Sequence, residues 1–179
     1  MLALWLPILI STIALFFASF LSWMVFQLHA KDWVKMNGEE AFMTAVRGMN
    51  IQEGNYMFPG VDSLKEANTP EHQKKYSDGP RGILQILPMV NMGKNLGLTF
   101  AYFLFCNATF AYLGSFALRP GAEFVDVFRF VATIALLTFA ASIVQHAIWF
   151  KVRITGHLIE SIAYSLIAGG IFAAFWPSV

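Results

Sequence analysis

Four long stretches of the chain consist of uncharged, mostly apolar residues. Three of them contain no Asp, Glu, Lys or Arg, and the fourth contains only Glu160; they cover residues 2–26, 95–118, 130–150 and 158–176. A helix needs about 20 apolar residues to cross the hydrocarbon layer of a bilayer, and all four stretches are near or above that length. The pattern predicts an all-α membrane protein in which a bundle of four transmembrane helices forms one membrane domain, 1–179.

Polar residues concentrate between the first two stretches, in the 68-residue segment 27–94. Residues with N-cap side chains precede two short helical patterns in it, which predicts helices over 38–47 and from 70 to about 76. NYMFPG (55–60) is typical of an apolar turn. For 83–90 (ILQILPMV) we predict a strip lying along the bilayer surface, and a re-entrant approach to the second span is the alternative. The segment is therefore expected to be extramembrane, with short helices.

Lysine and arginine lie mainly on one side of the predicted bundle. With four spans, segment 27–94 and the loop 151–157 share a side, which carries eight Lys and Arg near the span ends against two on the other side. Cationic loops tend to stay in the cytoplasm. The distribution therefore predicts a multi-pass protein with a cytoplasmic 27–94 segment and both termini on the opposite side.

Composition excludes several classes of protein. The net charge of +1 provides no basic surface for nucleic acid. The lone cysteine, Cys106, cannot form an intrachain disulfide and is expected to pack as a small apolar side chain. The sequence contains no nucleophile–base motif, glycine-rich phosphate loop or CxxC pair. We therefore predict a protein that is not an enzyme and has no cofactor.

Each predicted span also has a face of small or polar residues. Helices in lipid associate through close packing and a few polar contacts, so these faces are expected to point into the bundle. Three polar residues lie inside the spans: Asn107, which is expected to bond across helices, Gln145 and Glu160. The faces are Ala14, Ala18 and Ser22; Asn107, Ala111 and Ser115; Thr138, Ser142 and Gln145 or His146; and Ser161, Ser165, Gly169 and Ala173.

One group of side chains is a candidate for chemistry. His157 and Glu160 are three residues apart, on one face of the fourth span, and the tight loop before them brings His146 near. His29, with Asp32 three residues on, lies on the same side of the bundle. His146, His157 and Glu160 are ligands that zinc or ferrous iron accepts, and two histidines can also hold haem. The alternatives are solvated histidines, and a Glu160 that pairs with a cation, caps its helix or relays protons.

Three short phrases in the chain resemble a group of small bacterial inner-membrane proteins. They are GNYMFPG at 54–60, NMGKNL at 91–96 and AIWF at 147–150. The resemblance implies four spans in a bacterial inner (plasma) membrane, which would place the termini in the periplasm. It implies no activity and no functional residues.

Three functions remain open at this point. The small-residue faces and the absence of catalytic motifs favour a scaffold or accessory subunit that contacts other membrane proteins or a second copy within the lipid bilayer. A small transporter or channel would use Asn107 and Glu160. A metal- or haem-binding membrane subunit would use His146, His157 and Glu160.

Overall fold

The computed structural model describes residues 2–178 and contains four helices long and apolar enough to cross a membrane. A short 3-10 turn precedes the first of them. Helix α1 covers Trp5–Phe20 and continues through a π-helical turn, Leu21–Val25. The other three are α5 (Met92–Ala117), α6 (Phe124–Phe150) and α7 (Thr155–Ala174). The predicted apolar helices are therefore confirmed, with α6 starting earlier than the sequence pattern indicated.

The described residues separate into two compact units. One contains the residues up to Val34 and those from Met92 onward, and it holds the four long helices. The other covers Lys35–Asn91. Its elements are α2 (Glu39–Gly48), β1 (Gly54–Phe58), α3 (Leu64–Ala67), α4 (Pro70–Asp78) and β2 (Gly82–Ile86).

The two short helices predicted in this second unit are confirmed. Before α4, the Thr69 side chain accepts a hydrogen bond from the backbone N–H of His72, which satisfies one of the free donors of the first turn. Helix α2 begins after Gly38, whose φ of 76° is a left-handed conformation that glycine adopts without steric cost.

A two-stranded antiparallel sheet corrects the prediction of an entirely helical chain. Strands β1 and β2 pair antiparallel, from Gly54 opposite Ile86 to Phe58 opposite Gly82. The predicted turn at 55–60 is therefore wrong over the paired residues, and part of the 83–90 segment is a strand. A Cβ atom added at Gly82 would lie 2.9 Å from the Phe58 ring, so the ring occupies the space of the absent side chain. The pairing joins segments distant in sequence, which local patterns do not reveal.

The four long helices form an antiparallel bundle in which α1 contacts α5 and α7, and α6 contacts the same two helices. The most extensive contact joins α6 and α7. Aromatic rings from α5, α6 and α7 pack together inside the bundle, in edge-to-face contacts with centroid distances of 5.5–6.2 Å. These rings belong to Phe103, Phe110, Phe139 and Tyr164.

The inward faces expected from the sequence are found on some helices only. On α7, Ser161, Ser165 and Gly169 are buried as predicted. On α5, Asn107 and Ala111 are buried, whereas Ser115 is exposed and donates to the carbonyl of its own helix at Tyr112. On α6 the prediction is wrong. Its strip of Thr138, Ser142, Gln145 and His146 is exposed, and the helix is buried at Val127, Val131 and Ala135 instead.

The contact between α6 and α7 depends on the absence of a side chain at Gly169. A Cβ atom there would lie 2.9 Å from the Ala132 Cβ and 3.1 Å from the Phe128 ring. Because both neighbours belong to a packed helix, Gly169→Ala should force the two helices apart. At the adjacent Gly170, an added Cβ meets nothing within 4 Å.

We expect Gly169→Ala to lower the free energy of unfolding by about 1–2 kcal/mol relative to Gly170→Ala, because overpacking outweighs the higher helix propensity of alanine. Thermal unfolding of the two variants in the same detergent measures the difference. Equal midpoints for the two would show that the helices are not in close contact at Gly169.

Candidate functional site

Four titratable side chains meet at one end of the helix bundle. His29 and Asp32 lie in the turn that follows α1, and His157 and Glu160 lie in the first two turns of α7. The chain reverses after α1 through Gln27, which has a φ of 49°. This reversal carries His29 back onto the start of α7. We call these four residues the histidine–carboxylate cluster.

His29 is the central member of the cluster. Its ring is 4% exposed and stacks on the Trp23 ring, with 4.1 Å between centroids and 17° between planes. Its Nδ1 lies 2.7 Å from the Asp32 Oδ2, which is hydrogen-bond distance. Its Nε2 lies 3.2 Å from the Glu160 Oε1. The imidazole is therefore held between two carboxylates.

Gly156 makes room for the His29 ring. A Cβ atom at this position would lie 2.8 Å from the His29 Cε1 and 3.0 Å from the Leu28 carbonyl oxygen. The turn after α1 thus packs directly on the backbone of the first turn of α7. Only glycine permits this approach, and without it His29 would not reach Glu160.

Glu160 and Asp32 are carboxylates with almost no solvent contact. The side chains of both are 8% exposed. The second oxygen of Glu160 lies 3.7 Å from the His157 Nδ1, and the His157 and His29 rings are 4.5 Å apart. Arg153, whose side chain is half exposed, places its Nε 3.6 Å from the Asp32 Oδ1. The positive charge nearest Asp32 is therefore at the rim of the cluster.

Three buried atoms of the cluster have no hydrogen-bond partner: His29 Nε2, Asp32 Oδ1 and Glu160 Oε1. The 3.2 Å between His29 Nε2 and Glu160 Oε1 is short enough for a hydrogen bond, but the bond is absent because the two groups are not aligned. Unpaired buried polar atoms are costly, because they lose water without gaining a partner. The cluster therefore has unused capacity for a ligand.

The sequence anticipated half of this arrangement. The structure brings His157 and Glu160 together, as their spacing indicated. His146 is exposed on α6, with its ring 4.6 Å from that of Phe150, and among the described residues it contacts neither of them. His29 and Asp32 were not among the ligands predicted from the sequence, which were His146, His157 and Glu160, although both lie on the same side of the bundle. Their signal was the three-residue spacing just after an apolar stretch.

The other two polar residues of the spans lie apart from the cluster. Asn107 is fully buried; its Nδ2 donates to the Phe103 carbonyl of its own helix at 2.9 Å and, across helices as expected, to the Thr12 Oγ1 of α1 at 3.5 Å. Gln145 is exposed on α6. Cys106 is a buried free thiol.

No protein-family model, curated protein or solved structure matches the chain. The chemistry open to the cluster follows from its side chains. Two imidazoles and two carboxylates can exchange protons, bind a cation or hold helix ends together by charge attraction.

We expect His29→Ala to lower the free energy of unfolding by about 3–5 kcal/mol, because it leaves the buried Asp32 carboxylate without its hydrogen-bonded partner. His146→Ala removes the same type of side chain from an exposed position and should be within about 0.5 kcal/mol of the wild type. Chemical unfolding in one detergent compares the two. A His29→Ala variant as stable as His146→Ala would show that the buried contacts do not stabilise the bundle.

Proposed function

We propose that the chain is an integral membrane protein that crosses the bilayer four times and acts as a non-catalytic scaffold or accessory subunit. In this role it docks a transmembrane helix of another membrane protein on an uncovered part of α6. The observation that carries the proposal is a strip of small and polar residues on α6 that is exposed in the part of the chain that the structure describes: Thr138, Ala141, Ser142 and Gln145.

The outer surface of the bundle supports insertion in a bilayer. Large apolar side chains there are exposed, including Phe17, Phe105, Phe116 and Leu137, each at 60–74%. An apolar surface around a whole bundle is costly in water, whereas hydrocarbon solvates it. The helices also satisfy their own backbone hydrogen bonds, as spanning segments must.

The distribution of positive charge supports one orientation. Segment 27–94 and the loop 151–157 would be cytoplasmic, and the termini would face the periplasm of a bacterial inner membrane. The resemblance of three short phrases to bacterial inner-membrane proteins supports this location.

Two engineered cysteines test the orientation in a Cys106→Ala background. In intact cells, a membrane-impermeant maleimide should label Ser178→Cys near the C-terminus and not Lys65→Cys in α3, because only the first would face outward. Both positions are exposed, so accessibility within the protein is matched. Labelling of Lys65→Cys in intact cells would reverse the orientation.

The uncovered part of α6 begins near its middle. Ser142 follows Ala135 by seven residues, so at about 100° per residue it lies within about 20° of Ala135 around the helix axis. Ala135 is fully buried against the bundle, yet Ser142 is exposed. The side of α6 that is buried at Ala135 is therefore exposed at Ser142, two helical turns further along. The N-terminal residues of α5, 92–98, are exposed as well.

The side chains of this strip suit a helix–helix contact. Thr138, Ala141 and Ser142 are small, which permits close approach of another backbone. The side chains of Ser142 and Gln145 form no hydrogen bond with any residue between 2 and 178. A polar group facing hydrocarbon without a partner is costly. A neighbouring transmembrane helix with small or polar residues would satisfy these groups, at about 0.6–2 kcal/mol per hydrogen bond.

Transport through the bundle has weaker support. The interior is filled by aromatic rings around Phe139, and Asn107 is fully buried and bonded to its own helix. In the described part of the chain, these contacts occupy the path that Asn107 and Glu160 would have lined. A filled interior favours a structural role over a conducting one.

Site-directed cross-linking tests the docking strip. In the Cys106→Ala background, Ala141→Cys carrying a photoreactive probe should cross-link to a distinct membrane protein that also co-purifies in fixed stoichiometry. The matched control is Leu166→Cys, which is exposed on α7, and it should give no such product.

Substitutions in the strip then test its chemistry. Ser142→Leu together with Gln145→Leu should abolish co-purification of that partner while leaving thermal stability unchanged, since neither residue packs within the chain. A cross-linked product containing only two copies of this chain would replace the docking role with self-association. Equal products from Ala141→Cys and Leu166→Cys would remove the strip from consideration.

A further inference from the structure

We propose that the histidine–carboxylate cluster is a binding site for a divalent transition-metal ion. The ion is held by His29 Nε2, a ring nitrogen of His157 and the carboxylate of Glu160, and Asp32 orients His29. This inference is independent of the docking strip on α6.

The geometry brings the ligand atoms close to coordination distance. His29 Nε2 and Glu160 Oε1 are 3.2 Å apart, and His157 Nδ1 is 3.7 Å from Glu160 Oε2. Ligands about 2.0–2.1 Å from a tetrahedral zinc ion are about 3.3 Å from one another. Both separations are close to this value, so Glu160 can share an ion with either histidine.

The hydrogen bond to Asp32 determines which nitrogen of His29 is available. Nδ1 lies 2.7 Å from the Asp32 carboxylate, so in the neutral ring Nδ1 carries the proton and Nε2 carries the lone pair. Ligand atoms of His29, Asp32 and His157 also lie within 4.8 Å of one another. Because Asp32 already accepts the Nδ1 proton, it occupies the outer position of the carboxylate–histidine–metal arrangement found in many metal sites.

Two buried atoms without a hydrogen-bond partner, one on His29 and one on Glu160, indicate where a cation would bind. His29 Nε2 and Glu160 Oε1 lie 3.2 Å apart without forming a hydrogen bond. Both atoms are buried without a hydrogen-bond partner, in side chains that are more than nine-tenths buried. A cation between them satisfies both at once.

The charge of the cluster is consistent with a divalent ion. Asp32 and Glu160 contribute two negative charges in side chains that are 8% exposed, and Arg153 lies at the rim, 3.6 Å from Asp32. Buried charges require compensation within the site. A divalent ion held by His29, His157 and Glu160 would compensate the negative charge of Glu160, because the Arg153 guanidinium is paired with Asp32 instead.

The donor types favour zinc or ferrous iron over magnesium or calcium. Two imidazoles and one carboxylate suit borderline transition metals, whereas Mg²⁺ and Ca²⁺ prefer oxygen ligands throughout. Three protein ligands leave a coordination position open. A surface recess lined by Trp23, Gln27, His29 and Ala30 lies beside the cluster.

Zinc titration of the full-length protein in detergent, after treatment with a chelator and its removal, tests the proposal. We expect one Zn²⁺ per chain in the wild type and no binding in His157→Ala or Glu160→Gln. Asp32→Asn should bind about 10–100-fold more weakly, as expected for a residue that orients a ligand. His146→Ala, which changes an exposed histidine outside the cluster, should bind like the wild type.

A second measurement needs no variant, so it holds even where a substitution impairs folding. Zn²⁺ should protect His157 of the wild-type protein from modification by diethylpyrocarbonate, read by mass spectrometry, because metal coordination occupies its ring nitrogen. The exposed His146 should be modified equally with and without zinc. Absence of stoichiometric zinc in the wild type, or His157 modification unaffected by bound zinc, would overturn the proposal.

Discussion

The backbone of α7 is approached at two points more closely than any side chain would allow, and the rest of the bundle depends on both contacts. At Gly169 the neighbour is α6, through Ala132 and Phe128. At Gly156 the neighbour is the His29 ring in the turn after α1. Small residues along α7 therefore determine its distance from the first and third of the long helices. Glu160, one turn beyond Gly156, is buried beside the His29 side chain.

The exclusion of charge from the long helices explains where the chemistry lies. A helix in apolar surroundings satisfies its own amides and tolerates few charged side chains. Polar groups within the helices are few: Thr12 and Asn107 each donate to a carbonyl of their own helix, and Asn107 also donates to Thr12. Histidines and carboxylates instead gather at helix ends. The turn after α1 and the start of α7 lie at the same end of the bundle, so their titratable groups meet there.

Uneven packing distinguishes α6 from the other helices. It is the least buried of the four, although its N-terminal half packs closely against α7 through Val127, Val131 and Ala135. Beyond these residues its bundle-facing side is exposed, and polar groups occupy it. Helix α6 thus combines a closely packed stretch, which contacts α7 around Gly169, with an exposed one. The exposed stretch accounts for the proposed docking of a partner helix.

The sequence by itself determined the four apolar helices, because a run of 19 or more residues with at most one charge is a property of each stretch alone. It also determined α4 through the cap at Thr69, and the pairing of His157 with Glu160 through their spacing. Only the tertiary structure decided that the β1 and β2 segments pair as an antiparallel sheet. It also decided that His29 rather than His146 contacts Glu160, and that the strip on α6 is exposed. These outcomes depend on contacts between segments far apart in the chain. Such contacts are governed by chain reversal and by which helices lie side by side, and neither leaves a periodic pattern in the residues concerned.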